Sequence, residues 1–304
     1  MSANPEALRI AAPPVESPWR RFAAEFLTDR VATAALAVLV AIVLAAIVAP
    51  LVAPQNPYDL AKVSVIDARL APGERGSDGF VMWLGSDGAG RDMLSGILYG
   101  LRISLGVGIA SGLIAFVLGM AIGLAAGYLG GRTDAFIMRV VDLQLSFPAI
   151  LVALILVAIL GKGVDKVIVA LVLVQWAYYA RTVRGSALVE RRKEYIEAAH
   201  CLALPAPRIV FRHLLPNCLA PMIVVGTLQT AHAISLEATL SFLGVGLPQT
   251  EPSLGLLISN GFEYMLSGKH WISFFPGAAL LLTIMTINLV GDRLRDVLNP
   301  RLER

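Results

Sequence analysis

Charge is scarce in this sequence. Asp, Glu, Lys and Arg make up 15% of its 304 residues, against about 25% in globular domains. Aromatic residues are few as well, at 7%, and there are two cysteines and four histidines. Two cysteines, Cys201 and Cys218, cannot build a disulfide framework. Sixteen residues lie between them and there is no CxxC, which argues against a metal or redox role. No repeat of a solenoid is visible. No GxxxxGK[ST], HExxH or GxSxG stretch occurs, so the chain offers no catalytic residues and no ATP site of its own. The inverted repeat of secondary transporters is missing, as is a chain of buried carboxylates for proton relay.

What is abundant is apolar surface. Hydrophobic residues take 57% of the chain and the mean hydropathy is +0.72. A soluble domain would leave much of that surface in water, and a disordered chain needs the opposite balance. The composition therefore points to an all-α polytopic membrane protein. The apolar runs are continuous, whereas membrane β-strands alternate. Runs free of Asp, Glu, Lys and Arg cover 31–58, 103–131, 143–161, 167–180, 214–236 and 270–291. A bilayer core needs about 20 residues of helix, so six transmembrane helices are predicted. Lys166 and Arg181 snorkel from the ends of the short fourth run. The first run is too long for a signal peptide and reads as a retained helix.

Lys and Arg set the orientation. With the N-terminus inside, 17 of the 25 fall on the cytoplasmic side and 8 outside. The expected organisation is a mobile, Pro-rich cytoplasmic tail over 1–30 and a first transmembrane helix over 31–53. An extracytoplasmic segment follows over 54–100, then a five-helix core over 101–292 and a cytoplasmic tail over 293–304. The long segment before residue 100 reads as a docking surface with a short interfacial helix near Arg91–Tyr99. The alternative is a poorly ordered connector, above all over 71–79. The stretch 242–269, with Gly244, Gly246, Pro248 and Pro252, reads as a re-entrant or gating element. Basic charge has no aromatic-interleaved patch to go with it, so no nucleic acid is expected.

Gly119, Gly123 and Gly127 repeat every four residues, as do Gly108 and Gly112. Such stripes let a neighbouring helix approach closely, within the chain or from a second membrane subunit. Asp142 and Glu237 sit at span boundaries and read as interfacial, snorkelling carboxylates. His232 reads as a hydrogen-bonded structural residue, because no second ligand stands at metal spacing.

The longest loop on the predicted cytoplasmic side, 181–212, carries strong helix formers through Glu190–Ala203. Leu204-Pro205-Ala206-Pro207 then stops the helix. A short helix lying across the membrane surface follows from this, either solvated or seated in a partner's groove. Its sequence resembles the coupling loop of bacterial ABC-importer permeases: Glu197-Ala198-Ala199, then Ala203, then Leu215-Pro216. Ala203 stands where that loop has Gly, and His213 where it has Ile. Ala203 is expected to make the helix more continuous.

The flanks are similar to the C-type permeases of the family's peptide/nickel branch. They run from Leu84-Gly85-Ser86-Asp87 through Gly90-Arg91-Asp92 to Tyr99-Gly100-Leu101-Arg102. Ser146-Phe147-Pro148, Glu237-Ala238-Thr239-Leu240-Ser241-Phe242 and Asn299-Pro300-Arg301 continue the match. The resemblance implies a type I ABC-importer permease fold in the bacterial inner membrane. It implies a homologous sister permease, two ATPase subunits holding ATP and Mg, and an extracytoplasmic binding protein. It places ATPase coupling on Tyr195, Glu197, Ala198, Ala199, Ala203, Leu215 and Pro216, within a loop at about 185–213. It also implies di- or oligopeptides as solutes, with nickel or another small solute as the alternative. An ATP-independent channel or a membrane scaffold is the competing class, and neither calls for a Glu-Ala-Ala helix.

Overall fold

The computed structural model describes residues 18–298 except 58 and 60–62. Pro5, Pro13, Pro14 and the Asn299-Pro300-Arg301 stretch lie outside the described residues. Part of the predicted N-terminal tail is a helix, α1 (Pro18–Leu27). Its Phe26 is buried against Ala32, Ala35 and Val290, so apolar packing holds the segment that proline content had marked as mobile.

α2 (Arg30–Val52) begins at Asp29, whose carboxylate accepts from the Val31 and Ala32 amides at 2.8 and 3.3 Å. α3 (Met93–Leu129) has 37 residues, about 55 Å at 1.5 Å per residue. That exceeds the thickness of a bilayer core. The predicted interfacial helix near Arg91–Tyr99 is therefore not separate but forms the first turns of α3. Asp92 caps it by accepting from the Ser95 amide at 2.8 Å, and no proline follows to break it.

Gly130 (φ 65°) ends α3 and turns the chain into α4 (Gly131–Ser146), which is followed by α5 (Ala149–Leu160). These two are bent by 90° at Phe147-Pro148, because the residue before proline avoids helical backbone. The third predicted span is thus a broken pair. α5 alone, at 12 residues, reaches about 18 Å and cannot cross. α6 (Val164–Glu190) runs ten residues beyond the predicted span end. α7 (Glu194–Cys201) is the short helix expected from the loop.

α8 (Ala206–Arg208), a π-helical stretch (Ile209–Leu214) and α9 (Leu215–Phe242) then form one continuous run. Pro216 would clash with the carbonyl four residues back, that of Arg212, in a regular helix. The wider π turn around Arg212 takes up that clash. α10 (Leu254–Phe262) has nine residues, too few to span, and lies against α9 and α11 (Trp271–Leu298). Among the described residues, five helices are long and apolar enough to cross a membrane, or six counting the bent pair as one span.

α3, α6 and α9 form the centre. Ideal Cβ atoms on Gly119 and Gly123 would stand 2.5 Å from the Trp176 and Ala180 carbonyl oxygens of α6, and one on Gly127 2.7 Å from Ala187 Cβ. Gly108 meets Ile234 of α9 at 2.5 Å, and Gly112 meets Thr230 at 3.2 Å. Both stripes are thus used for close approaches inside this chain, the longer one by α6 and the shorter by α9.

The segment between α2 and α3 is ordered around buried polar groups. Asp67 accepts from the Ser77 amide and hydroxyl at 2.8 and 2.7 Å, which ties down the 71–79 stretch. Arg91 Nε donates to Asp87 Oδ2 at 2.7 Å with both side chains buried.

Candidate functional site

The site is built where α6 hands over to α9. α6 ends at Glu190, and Arg191 to Lys193 make a turn. Glu190 holds that turn: Lys193 Nζ stands 2.6 Å from Oε1, and the Tyr195 hydroxyl donates to Oε2 at 2.8 Å. Burial, followed by the Glu190 bond and charge, pushes the Tyr195 phenol up to about 12. It is therefore a neutral donor at any physiological pH.

α7 has one inward face. Ile196 and Ala199 are buried with Ile209 of the π stretch, and Tyr128 and Leu204 pack on them. His200 stacks on Tyr128, with ring centroids 6.5 Å apart, and the Arg191 guanidinium carbon lies 6.0 Å from the same ring. The positions between, Glu197 and Ala198, point outward and are exposed. Leu202 and Phe211 are bare as well, at 74% and 66% exposure, and Arg192, Glu194, Arg208 and Arg212 are also exposed, so the outer surface of this end mixes charges of both signs with apolar groups. Below it, Asp134 of α4 takes a two-pronged contact from Arg184 of α6, at 2.9 and 2.6 Å.

The structure reverses the expectation for Ala203. It does not extend the helix; it adopts a left-handed conformation at φ 52°. The Ala203 amide donates to His200 O at 2.9 Å and the Leu204 amide to Ala199 O at 3.2 Å. This is a Schellman cap, whose left-handed position is usually glycine. Leu204, packed on the Ile196–Ala199–Ile209 group, holds the turn closed against the strain. Of the remaining predicted coupling residues, Tyr195 and Ala199 support α7. Leu215 packs with the next cluster along α9, around Leu214 and Cys218, and Pro216 is exposed beside it.

Two other expectations fail. Glu237 is not interfacial but buried in the bundle, where Ser104 and Ser241 hydroxyls each donate to it at 2.8 Å. His232 is exposed on α9 rather than buried in a hydrogen-bonded site. Asp142 is exposed and pairs with Arg181. Sequence reasoning missed the Tyr128 platform and the Glu190 hub. The i, i+3 spacing of Glu190 and Lys193 was the available signal for the hub.

A bundle of helices long and apolar enough to cross a bilayer, with a short partly exposed helix at one end, defines a multi-pass membrane protein. Comparison with known proteins sharpens that class. The family model described as binding-protein-dependent transport system inner membrane component matches residues 119–304. The model for the N-terminal transmembrane domain of oligopeptide transport permease C matches residues 17–72. The dipeptide transport system permease protein of Escherichia coli K12 is 39% identical over the full length of both chains. The glutathione transport system permease protein of Pectobacterium atrosepticum is 39% identical over 95% of this chain and 93% of its own. A putative peptide transport system permease of Brucella suis is 41% identical over 72% and 73%.

Among solved structures, the methionine ABC transporter in an inward-facing conformation superposes with a TM-score of 0.56 at 21% identity. That match covers 68% of this chain and 98% of that one, and it speaks to the fold. The chain belongs to the inner membrane components of binding-protein-dependent transport systems, in the peptide branch of ABC-importer permeases.

Proposed function

We propose that this chain is one permease subunit of an ATP-driven importer of di- or oligopeptides, and that α7 is where ATPase subunits take hold of it. The observation that carries the coupling assignment is the division of α7. Ile196 and Ala199 anchor it, while Glu197 and Ala198 are exposed on its outer side, as are Leu202 and Phe211. An anchored helix with a free outer face moves as a unit with whatever grips it. Tyr195 and Glu190 join it to α6, so a displacement at α7 reaches the bundle along α6 and the π stretch.

In this reading the α7 end and both termini are cytoplasmic, in line with the distribution of Lys and Arg. A homologous sister permease completes the pathway and two ATPase subunits hold ATP and Mg. An extracytoplasmic binding protein delivers the solute at the α10 end. ATP binding and the loaded binding protein each favour one of two packings of the bundle. The permease contributes no reacting group. Peptide solutes are supported by what the relatives transport. Among the described residues, no group of three or more His, Cys, Asp or Glu could hold a bare metal ion.

The test is ATPase activity of the purified complex in lipid, with binding protein loaded with dipeptides, longer peptides or nickel. Stimulation by a peptide is expected. Stimulation by nickel alone moves the solute class, and absence of any co-purifying ATPase sinks the coupling role of α7. Glu197→Ala is expected to abolish solute-stimulated ATPase activity and uptake while leaving membrane insertion unchanged. Normal uptake in that variant returns α7 to a solvated loop.

A further inference from the structure

The open faces of the bundle are of two kinds. Every exposed residue is apolar on α2 from Val31 to Ile47, on α3 from Ile109 to Ala121 and on α11 from Phe274 to Met285. These faces suit lipid. α9 does not follow them. From Gln229 to Ser241 it is enclosed by α3, α6, α10 and α11, and the three positions left exposed are His232, Ser235 and Thr239. All three are polar, and their spacing puts them on one side of the helix. The same side continues through Leu228, Val225 and Pro221 to Asn217.

This side borders a groove. Val225, Leu228 and Gln229 of α9 face Tyr178, Arg181 and Thr182 of α6 across a space of about 460 Å³. The groove continues into a larger depression of about 760 Å³ toward Arg295, sharing Thr182, Val225 and Leu228. Arg181 pairs with Asp142 at the groove, and the two side chains remain 50% and 60% exposed. A charge on a lipid-facing helix is costly, and such groups face water or protein instead. Leu145, Val225 and Leu228 also line the groove, so its wetted parts are the Tyr178–Arg181–Asp142 end and, on the next turns of α9, the polar positions His232, Ser235 and Thr239.

We propose that the α9 stripe His232–Ser235–Thr239 and the Asp142–Arg181 pair form this chain's wall of the solute pathway, and that the wall is matched to a short zwitterionic peptide. This rests on the importer reading above. The wall carries hydroxyls, an imidazole and one charge of each sign, rather than a cluster of one sign. Arg181 receives the solute's carboxylate, for which a guanidinium has two parallel donors, and Asp142 receives its ammonium group. The internal pair closes again when the solute leaves.

The test uses the assembled complex in proteoliposomes, with Cys201 and Cys218 replaced by Ser and solute-stimulated ATPase activity verified first. Single cysteines are placed by His232→Cys, Ser235→Cys, Thr239→Cys and, on the lipid face, Leu113→Cys. A charged, membrane-impermeant maleimide is expected to modify the three α9 positions and not the fourth, and to do so more slowly when peptide-loaded binding protein and ATP are present. Equal reactivity at all four positions overturns the proposal, as does cross-linking of the unreactive α9 cysteines to the sister subunit. Arg181→Gln is expected to raise KM about tenfold for dipeptides with a free carboxylate and not for C-amidated ones. An equal rise for both overturns the charge pairing. If no solute stimulates even the unmodified complex, the importer reading falls by itself, and the labelling pattern still decides whether the face is wet.

Discussion

At the α10 end, Asp67, Asp87, Arg91, Asp92, Ser95, Glu237 and Ser253 are all buried. At the α7 end the ion pairs are at least partly open, and the short helix is seated through its Ile196 and Ala199 on Ile209, Tyr128 and Leu204. Buried hydrogen-bonded charges have few alternative arrangements, since moving one strands the other. A small apolar seat and half-exposed contacts lose little when they shift. The contrast suits a bundle held fixed at one end and handled at the other. It gives each end its own expected response to substitution.

The largest effect is expected where the α10 end is most committed. Asp87→Ala leaves the Arg91 guanidinium buried without its partner. Stranding a buried charge in this way destabilises by about 3–5 kcal/mol. The expected outcome is loss of folded subunit from the membrane, read as yield and thermal stability of the complex. A variant of normal stability would mean that the 63–92 segment opens to water, and the contrast between the ends would be gone.

Ile196→Ala attacks the other end. Removing a fully buried side chain costs about 2–5 kcal/mol where the site cannot collapse. Here the loss should stay local. Faster hydrogen exchange in α7 is expected, with weakened coupling of ATPase activity to solute, while the melting temperature of the bundle changes little. A global drop in stability equal to that of Asp87→Ala would show that the two ends are equally structural.

Gly123→Ala probes what lies between them. A Cβ there would stand 2.5 Å from the Ala180 carbonyl and 2.9 Å from Val183 Cβ, and overpacking of this kind costs about 1–3 kcal/mol. α3 and α6 are expected to separate slightly, lowering the melting temperature and the efficiency of coupling together. Unchanged coupling with lowered stability would remove the α3–α6 seam from the path between the ends.

The spans and the short helix of the α7 end could be read from the chain before any fold was known, while the buried polar groups of the α10 end could not. The apolar runs located the spans, and Leu204-Pro205 located the end of α7. Boundaries slipped where charge was taken to mean loop: Arg181, Arg184 and Glu190 are helical because Asp142, Asp134 and the α7 turn supply their partners. The 90° bend at Phe147-Pro148 was hidden inside an apolar run, since hydropathy carries no direction. Glu237 was misplaced because its hydroxyl donor Ser104 is 133 residues away. His232, Ser235 and Thr239 drew no attention as a group, because a polar stripe of three is only visible once the other sides of α9 are known to be covered.

Ala203 gives the smallest and finest test. A left-handed L-residue costs roughly 1–2 kcal/mol, and Gly removes that strain but adds about 0.4–1 kcal/mol of unfolded-chain entropy. Ala203→Gly is therefore expected to stabilise the α7 cap by a few tenths to about 1 kcal/mol, seen as slower hydrogen exchange at Ala199 to Leu204. The cap bonds from Ala203 to His200 and from Leu204 to Ala199 need no side chain at 203. Uptake should therefore stay near the parent level if the cap only sets the shape of α7. If uptake falls while the cap tightens, α7 needs the looseness that Ala203 gives it, and the soft seating of this end is part of how it works. If exchange does not change, Leu204 alone sets the turn, through its packing on Ile196 and Ile209.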